Sequence, residues 1–194
     1  MSGVVAGFVL AGGRSSRMGT DKAGLLWNGQ SLLAQAVHVV QSVTGSATIV
    51  GDPAVHRINS IPVIADRVRG AGALAGIEAA LDSSATPWTL IVACDMPTLD
   101  PEVLNAIVER ALAQPECDAV IPTCGRRPQP LCAAYHRSAR PAVHAALEAG
   151  TFKIMDALES GAVRVAYVEI AVETAFRNVN TPEDWNAFLS EKSA

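Results

Sequence analysis

The sequence predicts an α/β fold: a single-domain, three-layer α/β/α sandwich around a mostly parallel sheet. Three observations predict it. Short apolar runs rich in β-branched residues alternate with stretches of helical periodicity along almost the whole chain, as strands and crossover helices do in turn. With 194 residues, 49% hydrophobic and 18% charged, the chain is long enough for one sizeable core and short for two. No linker, internal repeat or low-complexity tract breaks residues 1–194 into parts, apart from a polar tail over Ser190–Ala194 that is expected to fray.

The elements follow in order. Val4–Leu10 reads as a buried first strand. Behind Ser31 as cap, Leu32, Leu33, Ala36, Val37 and Val40 recur on one helical face. Ala47–Val50 is a second strand and Ile61–Ala65 a third, followed by a turn rich in Arg and Gly and a helix from about Leu74 to Leu81. Leu90–Ala93 is the fourth strand. Asp100 and Pro101 supply a cap and a first-turn proline for a helix with Leu104, Ile107, Val108, Ala111 and Leu112 on one side. Ala119–Ile121 is another strand, Gly125–Pro130 a loop and Leu131–Tyr135 an extended run where strict alternation ends. Ala139–Ala149 and Phe152–Leu158 read as consecutive helices split by Gly150, before a strand at Val163–Val168. The last helix starts at Pro182, with Thr181 as cap and Glu183 and Asp184 where acids favour the helix dipole.

Between the first strand and first helix, Leu10–Lys22 reads L-A-G-G-R-S-S-R-M-G-T-D-K. Gly12, Gly13 and Gly19 match neither G-x-G-x-x-G nor G-x-x-x-x-G-K-[ST], which disfavours a dinucleotide fold and a P-loop NTPase. What remains is a longer loop whose glycines let backbone N–H groups approach an anion, with Arg14, Arg17 and Lys22 adding positive charge. Arg grips a phosphate in two places, whereas Lys is a point charge. An ordinary surface loop with scattered cations is the bland alternative, disfavoured by the strand before it and the helix pattern after it.

The stretch resembles the molybdenum cofactor guanylyltransferases, whose triphosphate loop carries L-A-G-G-x-S-x-R-M-G-x-D-K, here without a break. The resemblance implies a Rossmann-like nucleotide-diphospho-sugar transferase fold. It also implies backbone contacts to GTP from Leu10, Ala11, Gly12 and Gly13, and phosphate contacts from Arg17 and Lys22. Asp95, after the strand L-I-V-A-C, should emerge at the carboxyl end of a central strand, where ligands of open α/β sheets bind. One such carboxylate suffices for a nucleotide-bound Mg²⁺, because phosphates and waters complete its octahedron. The family has a magnesium-binding aspartate there, and Asp66, ending V-I-A-D, matches one that contacts nucleotide. Read bare, Asp95 could simply end its strand and Asp66 simply form a turn.

Other family motifs depart in places. G-A-L-A-G-I at Gly72–Ile77 has Ala73 where the family has proline, and Gly51 stands where some relatives place a nucleotide-touching asparagine. In N-V-N-T-P-E at Asn178–Glu183, alternation sends Asn178 and Asn180 to one side, facing the cleft in the family, although plain helix capping explains the segment nearly as well. The R-P-Q-P-L run at Arg127–Leu131 loosely resembles the family's region near the pterin.

Composition excludes more than it assigns. A formal charge of −4 and 5% aromatics leave neither a basic field nor stacking platforms for nucleic acid. No apolar run nears the roughly 18 residues of a membrane span, and Met1–Ala11 has no basic signal region, so a cytoplasmic protein is expected. Cys94, Cys117, Cys124 and Cys132 lack C-x-x-C spacing and read as free thiols.

The implied reaction is transfer of GMP from GTP to the terminal phosphate of molybdopterin, with Arg17, Lys22 and Asp95 as catalytic residues and Mg²⁺ as cofactor. The implied partners are these two substrates, with transient contacts to molybdenum-insertion proteins and acceptor molybdoenzymes. A phosphate nucleophile is already ionised near neutral pH and needs no general base. That fits His38, His56, His136 and His144, all outside the motifs. Rival readings are a cofactor cytidylyltransferase, whose relatives tend to read L-A-A-G where Gly13 stands here, another small or sugar-nucleotide transferase, and a nucleotide-binding adaptor without turnover.

Overall fold

Alternation within the apolar runs decides which helix packs on which face of the sheet. The computed structural model describes residues 4–11, 21–66, 68 and 71–192. The elements are β1 (Val5–Leu10), β2 (Leu26–Trp27), β3 (Gln30–Ser31), α1 (Leu32–Thr44), β4 (Ala47–Val50), β5 (Val63–Ile64), α2 (Ala73–Ser83) and β6 (Trp88–Ala93). There follow α3 (Pro101–Ala113), β7 (Ala119–Cys124), β8 (Arg127–Pro128), β9 (Cys132–His136), α4 (Arg140–Glu148), α5 (Ile154–Ser160), β10 (Val165–Glu169) and α6 (Pro182–Lys192).

The main sheet has the order β10-β7-β9-β6-β1-β4-β5, with β8 beside β7. Pairs β6–β1, β1–β4, β4–β5 and β7–β10 are parallel, while β9 runs antiparallel between β6 and β7. The expected mostly parallel sheet is therefore present, strict strand–helix alternation ends where β8 and β9 follow β7 with no helix between them, and β9 and the short β8 are the reversed strands. Reversal of β9 restores β7 and β10 to the direction of β6. The carboxyl ends of β5, β4, β1, β6, β7 and β10 thus share one edge.

Successive side chains serve opposite layers. Val5 and Val9 of β1, Leu90 and Val92 of β6, Val120 of β7 and Ala134 of β9 pack with α1 and α3 through Leu33, Val37, Leu104 and Ile107. Phe8, Ile91, Ile121 and Tyr135 face the other way, with Leu74 and Ile77 of α2, Val143 of α4 and Leu158 of α5. Leu90, Ile91, Leu104 and Ile107 are fully buried, and each such side chain contributes about 1.5–3 kcal/mol of apolar burial.

The expected caps are in place. Ser31 Oγ accepts from Ala34 N–H at 3.1 Å, Asp100 Oδ1 from Glu102 N–H at 2.8 Å, and Thr181 Oγ1 from Asp184 N–H at 3.1 Å. Asp184 Oδ2 returns the favour to the N–H groups of Asn180 and Thr181, both at 2.9 Å, which closes a capping box.

Three features differ from the sequence reading. The N-G pair at Asn28–Gly29, with φ of 51° and 77°, turns a small β2–β3 hairpin, a two-residue turn that demands positive φ at both positions. Gly125–Pro130 is no plain loop, because Arg127 and Pro128 fold back on Cys124 and Thr123 as β8. The tail expected to fray from Ser190 is helical through Lys192. Ser190 Oγ donates to Asn186 O at 2.9 Å and Glu191 pairs with Arg177, whose guanidinium lies over Phe188. Phe188 is fully buried, with Trp27 of the hairpin packed edge-on at 4.9 Å.

At the opposite edge of the sheet, Arg164 donates Nε and Nη2 to the two carboxylate oxygens of Asp118 at 2.9 and 3.0 Å, and Arg164 N–H adds a third bond at 3.0 Å. Ser138 Oγ donates to the same group. The fork from Arg164 holds the Asp118 carboxyl well below the usual carboxylate range. A carboxyl depressed in the folded state stabilises above its unfolded value of roughly 3.9 and loses that contribution as pH falls through the folded value. Denaturant midpoints measured from about pH 5 downward should therefore fall more steeply in the wild type than in Asp118→Asn, the two curves converging in acid.

Candidate active site

Strand order reverses at β1: the chain leaves it for β4 and β5 on one side and returns to β6 on the other. Ligands of open α/β sheets bind outside the carboxyl ends at such a switch point. Backbone bonds extend the ladder past both neighbours there, with Ala11 N–H on Val50 O at 2.9 Å and Cys94 N–H on Leu10 O at 3.1 Å. Leu10 and Ala11 are buried at this edge. Gly12, Gly13 and Arg17, with the rest of 12–20, lie outside the described residues.

Lys22 begins a single 3₁₀ turn, Lys22–Gly24, capped by Asp21, whose Oδ1 accepts from Ala23 N–H at 3.1 Å. The turn sends the ammonium toward the end of β6. Nζ donates to Asn180 Oδ1 at 2.6 Å and lies 3.7 Å from Asp95 Oδ2. Three residues from distant parts of the sequence thus meet at one point. An ammonium has three donors, so Lys22 keeps capacity for an incoming anion.

Asp95 stands two residues beyond β6 and its side chain is 19% exposed. Its backbone oxygen accepts from Val179 N–H at 2.9 Å, which ties the N-V-N segment to the end of β6. Val179 is fully buried, and Asn178 and Asn180 on either side of it are exposed, as alternation requires. Asn180 reaches Lys22, and Asn178 stays on the open face.

Burial raises the Asp95 carboxyl above its ordinary value, with the Lys22 ammonium acting in the opposite sense. Oδ1 of Asp95 is buried and has no hydrogen-bond partner among the described residues. An orphaned carboxylate oxygen at the carboxyl edge of the sheet fits a divalent cation, which takes hard oxygen ligands. Among the described residues no group of three or more His, Cys, Asp or Glu could hold a metal by itself.

Asp66 is exposed, two residues past β5. Two strand spacings separate it from β1, roughly 10 Å, and it stands apart from Lys22, Asp95 and Asn180. In the other direction, beyond β7, a concavity of about 440 Å³ is lined by Cys124, Gly125, Arg127, Gln129 and Phe176. The β7–β8 turn creates it, and the loose R-P-Q-P-L motif forms one wall.

One contact escaped the sequence reading. His56, outside every motif, lies with Nε2 2.9 Å from Asp21 Oδ2. No spacing signals it, because the residues are 35 apart and meet only through the β1–β4 pairing. The four cysteines are free as expected, and burial pushes the Cys94 thiol up to about 12, which makes it inert.

The sequence profile of the MobA-like NTP transferase domain matches residues 7–163. A relative from Pelotomaculum thermopropionicum named "Probable molybdenum cofactor guanylyltransferase" is 35% identical over 186 residues, covering 92% of this chain and 88% of its own. The crystal structure of molybdopterin-guanine dinucleotide biosynthesis protein A from Archaeoglobus fulgidus superposes with a TM-score of 0.80 at 28% identity, over 100% of this chain and 99% of that one. The 2-C-methyl-D-erythritol 4-phosphate cytidylyltransferase from Thermus thermophilus shares the fold, with a TM-score of 0.72 at 16% identity over 96% and 98% of the two chains.

A carboxyl raised by burial disfavours the ionised folded state at neutral pH. Asp95→Asn should accordingly leave the ligand-free protein folded and raise its melting midpoint, measured by calorimetry at pH 7.

Proposed function

The chain belongs to the MobA-like NTP transferases, and on that premise we propose that it transfers GMP from GTP to the terminal phosphate of molybdopterin, releasing pyrophosphate. The observation that carries the reading is the meeting of Lys22, Asn180 and Asp95, whose Oδ1 has no partner among the described residues, at the switch point of the sheet. The names of the relatives supply the guanine and pterin substrates.

In this reading the triphosphate lies along residues 10–22, with Leu10, Ala11, Gly12 and Gly13 presenting backbone and Arg17 and Lys22 presenting charge. Asp95 would hold Mg²⁺ through the oxygen that has no partner among the described residues. When bound, Mg²⁺ supplies charge neutralisation across the triphosphate and orients the α-phosphorus. Lys22 sits where charge grows on the departing pyrophosphate, and Asn180 holds its ammonium ready. Asp66 faces the nucleoside end, the concavity at Arg127 and Phe176 receives the pterin, and Asn178 is assigned to the same second-substrate side. An oxygen of the pterin phosphate forms the new bond to the α-phosphorus. The bond from that phosphorus to the bridging oxygen breaks, and its electron pair leaves with pyrophosphate. The nucleophile arrives ionised, so the chain's task is positioning and charge stabilisation.

In this reading the enzyme is cytoplasmic and makes transient contacts with molybdenum-insertion proteins and acceptor molybdoenzymes. In the described residues no helix is long and apolar enough to cross a membrane.

Incubation with molybdopterin, Mg²⁺ and each nucleoside triphosphate in turn, followed by acid cleavage of the product, should yield GMP alone. Release of CMP, or pyrophosphate formation without the pterin, would count against the reading. Lys22→Ala and Asp95→Asn should each lower kcat by roughly 10²–10³-fold with circular dichroism unchanged.

A further inference from the structure

We infer that His56 is a positioning residue of the transfer, fixing through Asp21 the turn that carries Lys22. The inference rests on the role given to Lys22 above. Beyond β4 the chain folds back on itself: His56 N–H donates to Asp52 O at 2.8 Å and Ala54 N–H to Asp52 Oδ1 at 2.8 Å. The reversal lays the His56 ring against Gly51, where a Cβ would stand 2.5 Å from Nδ1 and 3.1 Å from Cγ. Any side chain at 51 would displace the ring. The departure from relatives with asparagine there and the placement of His56 are thus one packing solution.

Both ring nitrogens are committed. Asp52 N–H donates to Nδ1 at 2.9 Å, so Nδ1 carries no hydrogen and the neutral ring bears it on Nε2. Nε2 points at Asp21 Oδ2, 2.9 Å away, and the His56 side chain is 10% exposed. The other oxygen of Asp21 caps the turn at Ala23 N–H, and Gly24 N–H bonds Asp21 O at 3.2 Å. Lys22 lies between these two tethers. With no ring donor or acceptor left over, His56 acts on the reaction through Asp21 rather than on the ligand. The rigid end of β4 is thereby coupled to an ammonium that must reach Asn180, Asp95 and the departing phosphates.

Steady-state kinetics with GTP, molybdopterin and Mg²⁺ test this. His56→Ala should lower kcat by roughly 10- to 100-fold, the order expected for misplacing a charge by about 1 Å, with KM for the pterin unchanged. His56→Gln, which offers an amide N–H to Asp21, should recover most of the rate. Asp21→Asn keeps an oxygen for Ala23 N–H but turns a donor toward Nε2–H; it should fall as far as His56→Ala, and the double variant no further. Turnover of His56→Ala within about twofold of wild type, a loss that Gln does not repair, or additive losses would overturn the inference. Should His56→Ala fail to fold, Asp21→Asn and His56→Gln decide alone: loss in the first with retention in the second supports it, and any other pattern overturns it. Lys22→Ala measured in parallel separates the two levels. Full activity there removes the role of Lys22 itself, whereas collapse there with unaffected His56 and Asp21 variants removes only this inference.

Discussion

A carboxylate drawn mostly out of water at the end of a central strand needs a cation, and the site is organised around that need. Asp95 has Lys22 on one oxygen and nothing among the described residues on the other. Burial alone would favour its protonated form. The nearby ammonium works against that, and a divalent ion at the free oxygen would complete the compensation. The contact between Lys22 and Asp95 thus compensates the buried carboxylate in part.

The same need explains why remote segments converge. Val179 N–H bonds the backbone of Asp95, Asn180 bonds Lys22, and Asp184 holds Asn180 N–H through a cap that starts α6. Helix α6 is in turn seated by Phe188 against Trp27 of the β2–β3 hairpin, a few residues after Lys22. One apolar contact and one polar one close a loop between the first and last parts of the chain. Stability is organised elsewhere: the Asp118–Arg164 fork lies at the amino end of β7 and just before β10, across the sheet from Asp95. The Lys22–Asp95 pair and the Asp118–Arg164 fork are separated by the length of the strands.

Much of this was legible in the chain. The strand and helix periods, the caps at Ser31, Asp100 and Thr181, and the emergence of Asp95 beyond β6 follow from local rules that need no partner. The hairpins were missed, although Asn28–Gly29 is a strong turn signal, because strands of two residues such as Leu26–Trp27 carry too little pattern to register. The tail at Ser190 looked polar enough to fray. Its order comes from Arg177, which bonds Glu191 and lies within reach of a buried ring on α6, a tertiary contact with no sequence signature.

By itself the sequence determined the α/β class, the glycine-rich cationic segment after the first strand and the acid beyond the fourth, because helix and strand periods and turn chemistry act within a few residues. Only the tertiary structure decided that Lys22 meets Asn180, 158 residues away, that β9 runs against its neighbours, and that His56 grips Asp21. Those depend on which strands lie side by side, and pairing across the sheet is settled by the packing of two opposite layers at once rather than by any short stretch of chain.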